Sequence, residues 1–130
     1  MKKEIVRVPV LSEAVEKLKV PLSLAVKANG FVFVSGAPPL DLKTGALIRG
    51  DIEVQTRASL EHMKAALEAA GSSLDKVVKV NIYCANSAWY ATVNRIYATY
   101  FPKDPPARTF VTVASWPMEF DIEIECTALA

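Results

Sequence analysis

An arginine, Arg108, and two glutamates one residue apart, Glu123 and Glu125, could bind or activate a small polar ligand. They fall in PPARTFVTVASWPMEFDIEIECTALA, which spans Pro105–Ala130. Two runs with period-2 alternation, Ala107–Ala114 and Phe120–Leu129, flank a Ser-Trp-Pro-Met-Glu connection, and this pattern predicts an antiparallel hairpin. Alternation puts Val111 and Val113 on one face of the first strand and Arg108, Phe110 and Thr112 on the other. On the second strand Phe120, Ile122, Ile124 and Cys126 oppose Asp121, Glu123, Glu125 and Thr127. An arginine, carboxylates and a phenylalanine sharing one face suit a polar pocket or a subunit interface better than a solvated surface. Arg108 then has two readings. It pairs with Glu123 or Glu125 across the hairpin, or its guanidinium fork binds a small carboxylate ligand, each charged hydrogen bond contributing about 1.5 to 3 kcal/mol. On residue type alone Glu123 reads as surface or interface charge, and Glu125 as its solvated neighbour on the same face.

The elements that must position these residues follow from periodicity. Ile5, Val6 and Val8 suggest a short edge strand ended by Pro9, and Leu11, Ala14, Val15 and Leu18 have helical spacing over at most two turns. SLAVKANGFVFVSG reads as strand, Asn-Gly turn, strand, and arrives at Ser35-Gly36, where the missing side chain lets something approach the backbone. Turn residues follow, with Gly45 before an expected short strand at Ala46–Ile48. Asp51 is the expected N-cap of a long helix ending at Gly71, with Thr56, Leu60, Met63, Leu67 and Ala70 as its apolar stripe. His62 lies off that stripe and is expected to be solvated. Val78, Val80, Ile82 and Cys84 alternate as a strand with one face on the core, and a second helix carries Trp89, Val93, Ile96, Tyr97 and Tyr100 until Pro102. The fold class is therefore α+β: one domain over residues 1–130, a mixed β-sheet with two helices packed on one face through right-handed crossovers. The other face, expected to include Arg108, Phe110, Glu123 and Glu125, would be closed by another subunit.

Composition bounds the function. The chain has 130 residues, enough for one core, and its 52% hydrophobic content favours an oligomer. A net charge of +1 with 22% charged residues gives no electrostatic footprint for nucleic acid or an acidic membrane. No apolar run approaches the roughly 20 residues of a membrane span, and no signal-peptide core follows Met1, so a cytoplasmic protein is expected. Cys84 and Cys126 fall on the apolar sides of strands without C-x-x-C spacing and read as buried thiols. A single histidine and scattered carboxylates form no metal-ligand cluster.

Several blocks resemble the YjgF/RidA family, which also carries RutC-like and endoribonuclease L-PSP names. They are FVFVSGAPPLDLKTG, DIEVQTRASLEHMKAALEAAGSSLDKVVKVNIY, ATVNRIYATYF, PARTFVTVA and DIEIECTAL, covering about Ala25 to Leu129 in order. The resemblance implies a chorismate-mutase-like homotrimer with barrel-like packing of three sheets and a cleft between each pair of neighbouring subunits. It implies cofactor-independent hydrolytic deamination of 2-imino or 2-enamino acids to 2-oxo acids and ammonia. Arg108 matches the arginine that binds the substrate carboxylate, and Glu123 matches the glutamate that positions the attacking water. Ser35 and Gly36 match the Ser-Gly whose backbone lines the ligand; Asn94 matches an asparagine read as a helix or interface contact.

Three positions depart from the family pattern: Leu22 stands for a tyrosine, Ala37 for a glutamine and Phe110 for a cysteine. Each change removes a polar or reactive handle. Leu22 and Phe110, at the ligand positions, point to a longer or more apolar acid, including an aminomuconate-like enamine. The alternative is a non-catalytic trimer that binds a small carboxylate or serves a protein partner. An endoribonuclease has little physical support in a chain with near-neutral charge and no basic stripe.

Overall fold

The computed structural model describes residues 2–130. It is α+β: helices pack on a six-stranded mixed sheet. Strand β1 (Glu4–Val6) and helix α1 (Leu11–Lys17) precede β2 (Ala25–Ala28) and β3 (Phe31–Ala37); then come α2 (Ile52–Ala69), β4 (Val77–Cys84), α3 (Tyr90–Tyr100), β5 (Ala107–Thr112) and β6 (Ile122–Leu129). The sheet order is β1-β2-β3-β6-β4-β5.

Local chemistry accounts for most boundaries. Asn29 and Gly30 turn β2 into β3 with φ of 51° and 82°, the paired left-handed residues a tight hairpin needs. The Asp51 side chain accepts from Val54 N–H at 2.9 Å and caps α2. At the other end Gly71 adopts φ 80°; its N–H donates to Glu68 C=O at 3.0 Å and that of Ser72 to Leu67 C=O at 2.9 Å, a Schellman closure. The expected stripe of Thr56, Leu60, Met63, Leu67 and Ala70 is buried, as are Val93, Ile96 and Tyr97 of α3 and both free cysteines.

The expected terminal hairpin is not formed. β5 and β6 are separated by β4, which pairs parallel with β5 and antiparallel with β6. β6 also pairs antiparallel with β3, so it is a central strand between two neighbours. Residues 113–121 form a loop too long for a tight turn, and alternation within a strand carries no information about which neighbour it pairs with.

Three smaller expectations are also corrected. Ala46–Ile48 forms no strand, only an isolated bridge from Leu47 to Leu40, because Asp41 Oδ1 accepts from Lys43 and Thr44 N–H and holds the segment as a turn. Val78 is exposed, since the β4–β6 register slips between Val77 and Lys79 and Val77 takes the core position. His62 is buried rather than solvated.

The uncovered side of the sheet presents exposed Ile5 and Phe33, with the Phe31 and Phe33 rings 6.2 Å apart. Beside them Tyr83 Oη and Asn81 Nδ2 both donate to Glu125 Oε1.

Leu60 is fully buried in the α2 stripe against the sheet. Leu60→Ala is expected to destabilise the fold by about 3 kcal/mol in denaturant unfolding, with an unchanged m-value.

Candidate active site

The predicted site residues assemble into two groups, not one. Arg108 and Phe110 pair in register with Val80 and Ile82, whose side chains are buried, so they share the face that the helices cover. Glu123 and Glu125 pair with Tyr83 and Asn81 and so alternate onto the opposite face. The expectation that Arg108 and Phe110 lie on the uncovered face with the glutamates is thereby corrected. Alternation showed that Arg108 and Phe110 share a face, but the phase was set by β4, a strand that sequence pairing did not place beside them.

The first group is aromatic. Phe110 meets Tyr90 of α3 edge to face with centroids 4.9 Å apart. The Arg108 guanidinium lies 4.9 Å from the Tyr97 ring centroid and 5.7 Å from that of Tyr90, and Nη2 donates to Tyr90 Oη at 3.4 Å. Arg7, Arg49, Arg57 and Arg95 each pair with a glutamate; among the described residues Arg108 is the arginine that pairs with none. Its fork is steadied by ring faces and keeps donors for another acceptor. Two polar atoms nearby on α3, Asn94 Oδ1 and Tyr97 Oη, are buried with no hydrogen-bond partner among the described residues.

The second group sits where β3 ends. Glu123 folds over Gly36: a Cβ built on Gly36 would overlap the Glu123 carboxylate and lie 2.9 Å from its Cγ. Gly36 is therefore glycine for space, the close approach that Ser35-Gly36 suggested. Leu22, Gly36 and Glu123 line one recess together with Leu18, Trp116 and Met118. Burial in this apolar setting, and secondarily the charge of Glu125, raises the Glu123 carboxyl above the ordinary glutamate range. Ser35 takes no part through its side chain, since its Oγ donates to Ser23 C=O at 2.6 Å and ties β3 to the segment leading into β2.

A polar ridge on α2 holds both strands of this group. Gln55 Nε2 donates to Asp121 Oδ2 at 2.9 Å while Gln55 Oε1 accepts from Asp121 N–H at 2.8 Å, two residues before Glu123. Ser59 Oγ donates to Ala37 C=O at 2.6 Å, and His62 Nδ1 lies 2.9 Å from Pro38 C=O, which makes it the protonated nitrogen of a neutral ring. Burial holds the His62 pKa below its usual value. Sequence reading passed over this ridge, although Gln55, Ser59 and His62 recur at i, i+4 and i+7 beside the apolar stripe, which is the signal of a wide buried arc. Among the described residues no three His, Cys, Asp or Glu side chains gather as a metal site, and no helix is long and apolar enough to cross a membrane.

Residues 14–130 match the family profile described as Endoribonuclease L-PSP. The chain belongs to the YjgF/RidA family. A RutC family protein of Pyrococcus horikoshii is 47% identical over 108 residues, 83% of this chain and 86% of the relative. The chloroplastic Reactive Intermediate Deaminase A of Arabidopsis thaliana is 44% identical over 108 residues, 83% of this chain and 58% of the longer relative. The crystal structure of E. coli TdcF with bound serine superposes with a TM-score of 0.80 at 32% identity, covering 85% of this chain and 89% of that one.

Gly36 has no positive φ, and the group that an added methyl would displace is the end of a flexible side chain. Gly36→Ala is expected to leave the fold intact, at a cost on the order of 1 kcal/mol in thermal unfolding, while forcing the Glu123 carboxylate out of its seat.

Proposed function

We propose that the protein is a cofactor-independent hydrolase that converts 2-imino or 2-enamino acids to 2-oxo acids and ammonia. The observation that carries this reading is Arg108, the arginine without a carboxylate partner, held against two tyrosine rings with its donors available. A fork so placed suits a planar carboxylate, and a partly desolvated glutamate suits activation of water. Because Arg108 and Glu123 lie on opposite faces of one sheet, the site is completed between copies: Arg108 and Phe110 of one subunit face Glu123, Gly36, Ser35 and Leu22 of its neighbour. Three such clefts in a homotrimer are the assembly we infer, with the exposed Ile5 and Phe33 face covered by the other copies and the trimer acting in the cytoplasm.

In the proposed reaction Arg108 fixes the substrate carboxylate, which brings the electrophilic C2 beside a water held by ionised Glu123. A 2-enamino acid first takes a proton from solvent at C3 to become the imine; the water oxygen then adds to C2 as Glu123 takes one proton from that water and the imine nitrogen takes one from solvent. The resulting carbinolamine loses ammonia when its nitrogen is protonated, the C–N bond breaks and the hydroxyl proton leaves, so that one water is consumed for each 2-oxo acid and ammonia formed. Since C2 is already electrophilic, positioning supplies most of the rate.

The test is release of 2-oxo acid from 2-aminoacrylate and related imines generated in situ, against a buffer control. Arg108→Ala is expected to lower kcat/KM by about 10- to 100-fold, and Glu123→Gln to lower kcat by about 10²- to 10⁴-fold while sparing ligand binding. Carboxylate binding by thermal shift without turnover would favour the binding-module reading instead. Mixing the two inactive variants and reassembling them should restore roughly a quarter of the sites if each is shared between neighbours, and none if each lies within one chain. Glu123 must be ionised to act, so activity should fall as pH drops through its raised pKa; Glu125→Gln removes a raising charge and should move that acid limb to lower pH.

A further inference from the structure

We propose that the recess beside Glu123 is a side-chain subsite that selects substrates with an apolar group of four or more carbons and excludes a second carboxylate. The inference rests on the hydrolase reading and adds the substrate class to it. The recess is about 250 Å³, below the roughly 300 to 1,000 Å³ of pockets that enclose a whole drug-sized ligand, and suited to one substituent. Leu18, Val20, Leu22, Leu47, Trp116 and Met118 form its walls, with Glu123 at one side. Leu18, Val20, Leu22 and Met118 are exposed at its rim, a concentration of apolar surface at one place.

Its polar inventory is small. Among the described residues no lysine or arginine lines the recess, and the ionisable lining groups are Glu123 and His62. His62 is neutral, with Nδ1 on the Pro38 carbonyl. A substrate carrying a second carboxylate would place that charge beside Glu123 in an apolar wall with no cation to compensate it. An isobutyl or benzyl group entering the same space loses only its hydration shell, which favours binding by about fourfold per buried methylene. Within the sequence expectation of a longer or more apolar acid, the recess supports the apolar acid and opposes a dicarboxylate such as an aminomuconate.

The recess is continuous with the carboxylate that acts on C2, so a substituent on C3 and beyond has a direct path into it. A dry wall beside the water-holding group also limits the number of waters that reach C2.

The experiment generates imines from leucine, phenylalanine, alanine and glutamate with an amino-acid oxidase and catalase, and measures 2-oxo acid release by wild type above buffer. The leucine- and phenylalanine-derived imines are expected to show kcat/KM about tenfold or more above the alanine-derived one, and the glutamate-derived imine to fall below it. Leu18→Asp places a charge at the exposed rim and should lower the leucine-to-alanine ratio at least about threefold. Activity that is equal on alanine and leucine imines, or as high on the glutamate imine, overturns the subsite and leaves the hydrolase standing. A ratio unmoved by Leu18→Asp in a folded variant also overturns it, because selection would then arise elsewhere. No acceleration of any of the four imines overturns the hydrolase reading itself.

Discussion

Backbone hydrogen bonding along both edges of β6 joins the two halves of the sheet. β6 enters between β3 and β4, so the last strand of the chain closes the centre of the sheet. Its buried Ile122, Ile124, Cys126 and Ala128 supply the middle of the core, and its other face carries the glutamates. Because β3 and β4 both run antiparallel to β6, they are parallel to each other and need the long α2 crossover between them. Placing β6 against β3 brings Glu123 to Gly36, and the same insertion pushes β5 to the edge beyond β4. The two halves of the candidate site are therefore separated by the strand that completes the fold.

Each half keeps a charge in a setting that has no use for it within a single chain. Arg108 rests on ring faces that orient a guanidinium without neutralising it, and two buried polar atoms on α3 lie unpartnered nearby. Glu123 lies against a glycine at the side of an apolar recess, where its ionised form is disfavoured. Hydrogen bonds of Gln55 with the Asp121 N–H, of Ser59 with the Ala37 carbonyl and of His62 with the Pro38 carbonyl hold the backbone on both sides of that recess, and among the described residues none donates to Glu123. The fork at one edge and the carboxylate on the other face are the two groups that the proposed cleft between copies would place on either side of a substrate.

The elements themselves were legible to an unusual degree because their signals are local. Asn29-Gly30 specifies a tight hairpin, Asp51 and Gly71 bracket a helix, and the α2 stripe and Val93, Ile96 and Tyr97 of α3 are buried as their spacing indicates, while Trp89 and Tyr100 are only half-buried. Gly36 could be identified as a place of close approach and Arg108 as a carboxylate-binding group from residue type and alternation, whereas Glu123 was singled out by the family resemblance. His62 was misjudged because it was measured against a single stripe. The helix is covered both by the sheet and by the segment after β3, so its buried arc is wider than an apolar count reveals.

Most strands, both long helices and their caps were readable from residue order, since each depends on backbone sterics and hydrogen bonding within a few residues; Ala46–Ile48, held in a turn by Asp41, was not. Which strands lie side by side emerged from the fold alone. That choice turns β5 and β6 from an expected hairpin into the two flanks of β4, and sets Arg108 on the helix face and Glu123 on the other. Pairing is a long-range decision governed by how all the apolar faces bury at once, and a period of two is the same whichever neighbour a strand finds.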